Sequence, residues 1–161
     1  MRAATGPGRG CQAWIAGANI YDVNLRLTPR ADGLWALLVY DEEEPVRAVE
    51  RILLDQGIST RHVRNCSAAD AALREAASPV LVLTDTSLPD GSWADVLKAA
   101  CAVPPRPPVI VVSRLVDIQL YVDVLESGAY DFVVPPLNSA GLVHIVRGAI
   151  LKGSPQQPQS R

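Results

Sequence analysis

Four short stretches of this chain are apolar without alternation: Trp35-Ala36-Leu37-Leu38-Val39-Tyr40, Val80-Leu81-Val82-Leu83, Val109-Ile110-Val111-Val112 and Phe132-Val133-Val134. A strand with one face in water alternates apolar with polar residues, whereas runs like these predict strands buried on both faces, as in a parallel sheet covered by helices. A fifth, more polar stretch, Ile58-Ser59-Thr60-Arg61-His62-Val63, predicts a strand near the sheet edge.

Helical patterns separate these runs. After Asp41-Glu42-Glu43-Glu44, Pro45 suits a first helical turn, and the acids favour the positive end of the helix dipole. Val46, Val49, Ile52 and Leu53 then share one face, and Gly57 stops the helix. Ser67-Ala68-Ala69-Asp70 opens a second helix, alanine-rich, running to about Ala77. A third spans Ser92 to Ala102 with Trp93, Val96 and Leu97 inward, and the Pro104–Pro108 loop leads to the next strand. A fourth runs from Asp117 to Ser127, with Gly128 as its stop. Strand 130–134 and the break at Pro135-Pro136 precede a last helix, Ser139 to Leu151, with Leu142, Ile145, Val146 and Ile150 inward. Five strands alternating with five helices predict an α/β fold, a doubly wound five-stranded parallel sheet with helices on both faces.

Length and composition bound the rest. A chain of 161 residues, 48% hydrophobic, accommodates one globular domain, placed at 34–151, between a leader (1–33) and a polar tail (152–161) that both read as disordered. No apolar stretch is long enough for a signal-peptide core or a membrane span. A formal charge of −2, only two lysines (Lys98 and Lys152) and no basic cluster speak against a nucleic-acid partner. Cys11, Cys66 and Cys101 have no ligand or redox spacing, which predicts reduced thiols in a cytoplasmic protein.

The chemistry concentrates at the carboxyl edge of the predicted sheet. Asp85 ends the third predicted strand and is followed by Thr86-Ser87-Leu88-Pro89-Asp90-Gly91. There it can serve as a metal ligand, as a nucleophile toward phosphoryl groups, or as a turn or helix cap. In a doubly wound sheet the ends of the first, third, fourth and fifth strands converge, so Asp41 with Glu42, Asp85, Ser113 and Pro135 share one pocket. Three carboxylates together call for a cation, and an all-oxygen ligand set points to Mg²⁺ rather than zinc.

Over residues 35–151 the chain resembles the receiver domains of bacterial two-component response regulators. The resemblance rests on Leu37 to Arg47 (LLVYDEEEPVR), Leu83 to Gly91 (LTDTSLPDG), Pro108 to Arg114 (PVIVVSR) and Gly128 to Leu137 (GAYDFVVPPL), in that order. It implies a phosphoacceptor at Asp85, and Mg²⁺ held by Asp41, Glu42, Asp85 and the Ser87 carbonyl. Ser113 matches the family's switch hydroxyl, Phe132 its mobile aromatic, and Pro136 the proline that follows a cis peptide bond. Thr86, Arg114, Pro135 and Pro136 fall beside the phosphoryl position. It implies a histidine kinase or phosphotransfer protein as donor and a downstream protein as partner. A homodimer is implied through helix 117–127, strand 130–134 and helix 139–151.

Three departures qualify the match. Pro135 stands where receivers carry a lysine that pairs with the phosphoryl group. The acidic pair has two registers: aligned by Gly57, Tyr40 takes the first acid's place and Asp41 the second. Aligned by Pro45-Val46-Arg47, the pair is Asp41 and Glu42. Arg114 replaces a small residue, so it either obstructs phosphodonors or lends the missing positive charge; partial compensation is the expectation, since a guanidinium binds phosphate with two donors.

The implied function is a stand-alone receiver in a phosphorelay, with no enzymatic activity beyond Mg²⁺-dependent self-phosphorylation at Asp85. The alternative is a pseudo-receiver, an interaction module that is never phosphorylated. A flavodoxin-like or nucleotide-binding enzyme is disfavoured because Asp41-Glu42-Glu43-Glu44 would repel a phosphate after the first strand. A phosphatase with an aspartate nucleophile is disfavoured because no second acid follows Asp85 in Asp-x-Asp spacing.

Overall fold

The computed structural model describes residues 33–153, apart from 45, 76, 135 and 137. The expected leader and tail therefore lie outside the described residues almost entirely.

Twelve elements follow in chain order: β1 (Leu34–Val39), α1 (Val46–Asp55), β2 (Ile58–Val63), α2 (Cys66–Leu73), β3 (Leu81–Asp85), β4 (Ser87–Leu88), β5 (Gly91–Ser92), α3 (Trp93–Cys101), β6 (Val109–Val112), α4 (Ile118–Glu126), β7 (Asp131–Val133) and α5 (Ser139–Gly153). The main sheet has the order β2-β1-β3-β6-β7, and every pairing in it is parallel. The polar strand β2 lies at an edge and the apolar β1, β3 and β6 lie inside. A two-stranded antiparallel ribbon, β4-β5, sits beside the sheet.

The apolar runs bury both faces. Ala36, Leu38, Leu81, Leu83, Ile110 and Val112 pack against Val49 and Leu53 of α1 and Leu142, Val146 and Ile150 of α5. Their neighbours Leu37, Val39, Val82, Val109, Val111 and Phe132 pack against α2, α3 and Val124 of α4. Each fully buried leucine or valine here contributes about 1.5–3 kcal/mol.

Local chemistry sets the ends. Gly57 closes α1 with φ +76°, a conformation that glycine adopts without a Cβ penalty. α3 begins in a capping box: Ser92 Oγ accepts from Ala94 N, and Asp95 Oδ2 accepts from Ser92 N at 2.9 Å. Asp117 caps α4 by accepting from Leu120 N at 3.0 Å.

Helix α2 differs from expectation. It starts at Cys66, capped by Asn65, whose Oδ1 accepts from Ala68 N at 2.8 Å. It ends at Leu73, short of Ala77, with Arg74 as C-cap. The alanines favour helix, but the chain must turn to bring Val80 N within 2.8 Å of Trp35 O, where the β1–β3 ladder begins.

Cys66 carries a free thiol, but Cys101 is disulfide-bonded, against the expectation of three reduced cysteines. Cys11 lies outside the described residues. Both cysteines pack against the α2–α3 side of the core, as apolar fillers do.

Candidate functional site

The sheet order runs outward from β1 to β2 on one side and through β3, β6 and β7 on the other. The switch between directions lies between β1 and β3, and the carboxyl ends of these strands open there into a crevice. Asp85 is the last residue of β3, and Asp41 and Glu42 follow β1. A cleft of about 420 Å³ is lined by Asp41, Glu42, Asp85, Thr86, Ser87 and Arg114, with Leu88 and Pro89 completing its wall. Six of the expected site residues thus share one cleft.

Asp85 is 7% exposed, while Asp41 and Glu42 project into solvent. Its Oδ1 accepts from the backbone N–H of Thr86 at 2.7 Å and from the Thr86 hydroxyl at 3.4 Å. Its Oδ2 receives Arg114 Nη2 at 3.3 Å, and the same guanidinium gives Nη1 to Glu42 Oε2 at 2.7 Å. Arg114 therefore bridges two of the three carboxylates. These bonds, the one to Glu42 foremost, hold the guanidinium more firmly protonated than a free one.

Tyr40 is buried at the end of β1. Val39 pairs with Thr84, so the next residues along the two parallel strands, Tyr40 and Asp85, are neighbours. The strand register thus sets a tyrosine, not an acid, beside Asp85. The Tyr40 carbonyl accepts a bond from His62 Nε2 at 2.7 Å, which gives His62 a structural role on the edge strand.

Ser113 is 3% exposed, and its hydroxyl is turned into the β6–α4 connection. Oγ donates to Leu115 O at 2.7 Å and accepts from Leu115 N at 3.2 Å. Phe132 is packed inward on the α2–α4 side of the sheet, edge-on to Tyr121 of α4 with ring centroids 5.8 Å apart. Neither residue lines the cleft. Pro136 is exposed; Pro135 lies outside the described residues, and with it the peptide bond joining the two.

Reading by sequence missed the role of Asp90, taken only as part of a turn. It accepts from Cys66 N at 2.7 Å, Ser67 N at 3.0 Å and Ser67 Oγ at 2.9 Å, so it caps α2 from the loop after β4. No local signal reveals a cap whose helix lies over twenty positions upstream.

The donors around the cleft are all oxygens, which suits Mg²⁺ in kind. Among the described residues, however, no three His, Cys, Asp or Glu side chains stand close enough to hold an ion as placed, and Glu42 is engaged by Arg114. Asp41, Asp85 and the Ser87 carbonyl are the groups that would hold the ion.

A family model, the response regulator receiver domain, matches residues 36–147. The chain belongs to this family. Among the receiver's curated relatives, the response regulator protein PilR of Pseudomonas aeruginosa is 30% identical over 125 residues, covering 76% of this chain and 28% of PilR. The nitrogen assimilation regulatory protein NtrX of Azorhizobium caulinodans is 36% identical over 119 residues, covering 71% of this chain and 25% of NtrX. The chain thus spans about a quarter of the length of these relatives. Among solved structures, the signal receiver domain of a protein described as a LuxO repressor from Vibrio parahaemolyticus superposes with a TM-score of 0.68 at 25% identity, covering 74% of this chain and 92% of that one. The NtrC4 receiver domain dimer in its beryllofluoride-activated form gives a TM-score of 0.68 at 22% identity, covering 74% and 98%, and supports the fold. The receiver identity places the chain in two-component signalling, and its five-stranded parallel sheet is the fold of these neighbours.

Proposed function

We propose that this receiver accepts a phosphoryl group on Asp85 from a histidine kinase or phosphotransfer protein and passes the signal on through protein contact. The observation that carries the reading is Asp85 itself: a nearly buried carboxylate at the switch point, on the wall of an open cleft, with a guanidinium beside it. In the transfer, an Asp85 oxygen attacks phosphorus, the P–N bond of the phosphohistidine breaks, and the released nitrogen takes up a proton. Mg²⁺, when bound, offsets phosphoryl charge. Thr86 N–H orients the carboxylate, and Arg114 offers the donors that a lysine supplies elsewhere in the family.

Within this reading the receiver acts in the cytoplasm through protein partners rather than nucleic acid or membrane. No helix among the described residues is long and apolar enough to cross a membrane. The contact surface is α4 with β7 and α5, the face through which a homodimer would form. Leu115, Val116 and Ile118 are each at least 76% exposed at its start, with Tyr121 and Val122 following on α4. NtrC4, a structural neighbour, has a receiver that is a dimer when activated by beryllofluoride.

The second reading, a pseudo-receiver that is never phosphorylated, is favoured by Pro135 in the lysine's place and by a Ser113 hydroxyl committed to Leu115. Incubation with acetyl phosphate and Mg²⁺ separates the two. A mass gain of one phosphate, absent in Asp85→Asn, supports the acceptor; no gain supports the pseudo-receiver.

A further inference from the structure

Among the described residues, one buried side-chain polar atom has no hydrogen-bond partner: the hydroxyl of Tyr40. Burying a hydroxyl unpaired is unfavourable, and a tyrosine kept inside a core ordinarily finds an acceptor. A phenylalanine would fill the same volume without that penalty. The hydroxyl therefore calls for an explanation that the resting state does not contain.

The sheet places it. Ala36 pairs with Leu81 and Leu38 with Leu83, and all four side chains face α1 and α5. Side chains alternate along a strand, so two residues further on Tyr40 and Asp85 leave this same face as neighbours. Tyr40 indeed packs in the α1–α5 core. At ordinary pH its hydroxyl is a neutral group with one proton to donate. The Asp85 oxygens are already served by Thr86 and Arg114.

We propose that the Tyr40 hydroxyl is a hydrogen-bond donor held for a phosphoryl group on Asp85, left unpaired in the resting domain and paired once the oxyanion is in place. With Arg114 it makes up a donor pair in a chain whose sequence has Pro135 in the lysine's position. Tyr40 is thus a positioning group for the acyl phosphate, and the inference rests on Asp85 being the acceptor.

The test compares the wild-type chain with Tyr40→Phe, using beryllofluoride and Mg²⁺ as the phosphoryl mimic. Without ligand, Tyr40→Phe should unfold at the same temperature as the wild type or a higher one, because no resting bond is lost. Affinity for beryllofluoride should fall about tenfold, the loss of one hydrogen bond to a charged group. Mg²⁺ affinity in the absence of fluoride should not change. In the wild-type chain, beryllofluoride should also move the Tyr40 hydroxyl proton resonance downfield, a readout that needs no variant. Equal beryllofluoride affinity in the two chains, or a lower unfolding temperature of the unliganded variant, overturns the inference and leaves the acceptor reading standing. A wild-type chain that neither binds beryllofluoride nor gains phosphate overturns both.

Discussion

Arg114 holds Asp85 by one corner: Nη2 lies 3.3 Å from Asp85 Oδ2, while Nη1 of the same guanidinium lies 2.7 Å from Glu42 Oε2. The Asp85 carboxylate is therefore tied to the β6–α4 connection and, through Glu42, to the acidic loop after β1. A cation that sits this close to the carboxylate is also within reach of the oxygens of a phosphoryl group formed on it.

Removing this cation should shorten the life of the acyl phosphate. Arg114 is about half exposed, so water and salt screen it and its contribution is about 0.5–1 kcal/mol. Arg114→Ala should then lose phosphate from Asp85 about two- to fivefold faster, measured by mass spectrometry after removal of acetyl phosphate. Faster phosphorylation with an unchanged lifetime would show that Arg114 obstructs the donor instead.

Glu42 and Asp41 should separate in a Mg²⁺ titration. Glu42 is bonded to Arg114, whereas no ion pair to the Asp41 carboxylate is found among the described residues. Asp41→Asn should weaken Mg²⁺ binding about tenfold or more, the scale of a lost ligand interaction. Glu42→Gln should change it by less than about threefold. Equal losses, read by calorimetry, would make Glu42 a ligand.

Stability should drain away in acid through Asp90. The N–H groups of Cys66 and Ser67 hold its carboxyl down to about 2, against an ordinary 3.8. A group whose pKa is depressed on folding stabilises fully above its unfolded value and loses that contribution as pH falls through the folded one. The wild type should therefore lose stability between about pH 4 and pH 2. Asp90→Asn, already less stable at neutral pH, should show a shallower loss across this window in urea midpoints. A parallel decline would remove Asp90 from the account.

Cys66 should be a slow nucleophile. Burial first, then the Asp90 and Asp95 carboxylates, push its thiol up to about 11. The thiolate is the reactive form, so alkylation by iodoacetamide at pH 7 should lag far behind a free cysteine and rise steadily toward pH 10. Rapid labelling at pH 7 would contradict the burial and charge seen around the sulfur.

The parts legible in the sequence were those written in short range. Uninterrupted apolar runs gave β1, β3 and β6 because burial on both faces leaves no room for alternation, and Gly57, Ser92 and Asp117 marked helix ends by their own backbone chemistry. Asp85 and Asp41 were identifiable because strand order alone brings them to one edge, and Arg114 through the resemblance to receiver domains. What escaped depends on partners remote in the chain. The reach of Asp90 to the start of α2 and the early end of α2 at Leu73 leave no local trace. The lone hydroxyl of Tyr40 was hidden differently: in sequence a tyrosine closing an apolar run is ordinary, and only the register with β3 shows what stands beside it.

Ser113 gives the loop between β6 and α4 a particular arithmetic. Its hydroxyl has one proton, and Leu115 O holds it while Leu115 N–H is bound to the same oxygen. Whatever draws that proton elsewhere unfastens the first bond and leaves only the second. Leu115 and Val116, lying almost wholly in water, have little packing of their own to keep them in place. The tether of this apolar stretch is thus a two-bond clasp closed by a single atom, Ser113 Oγ.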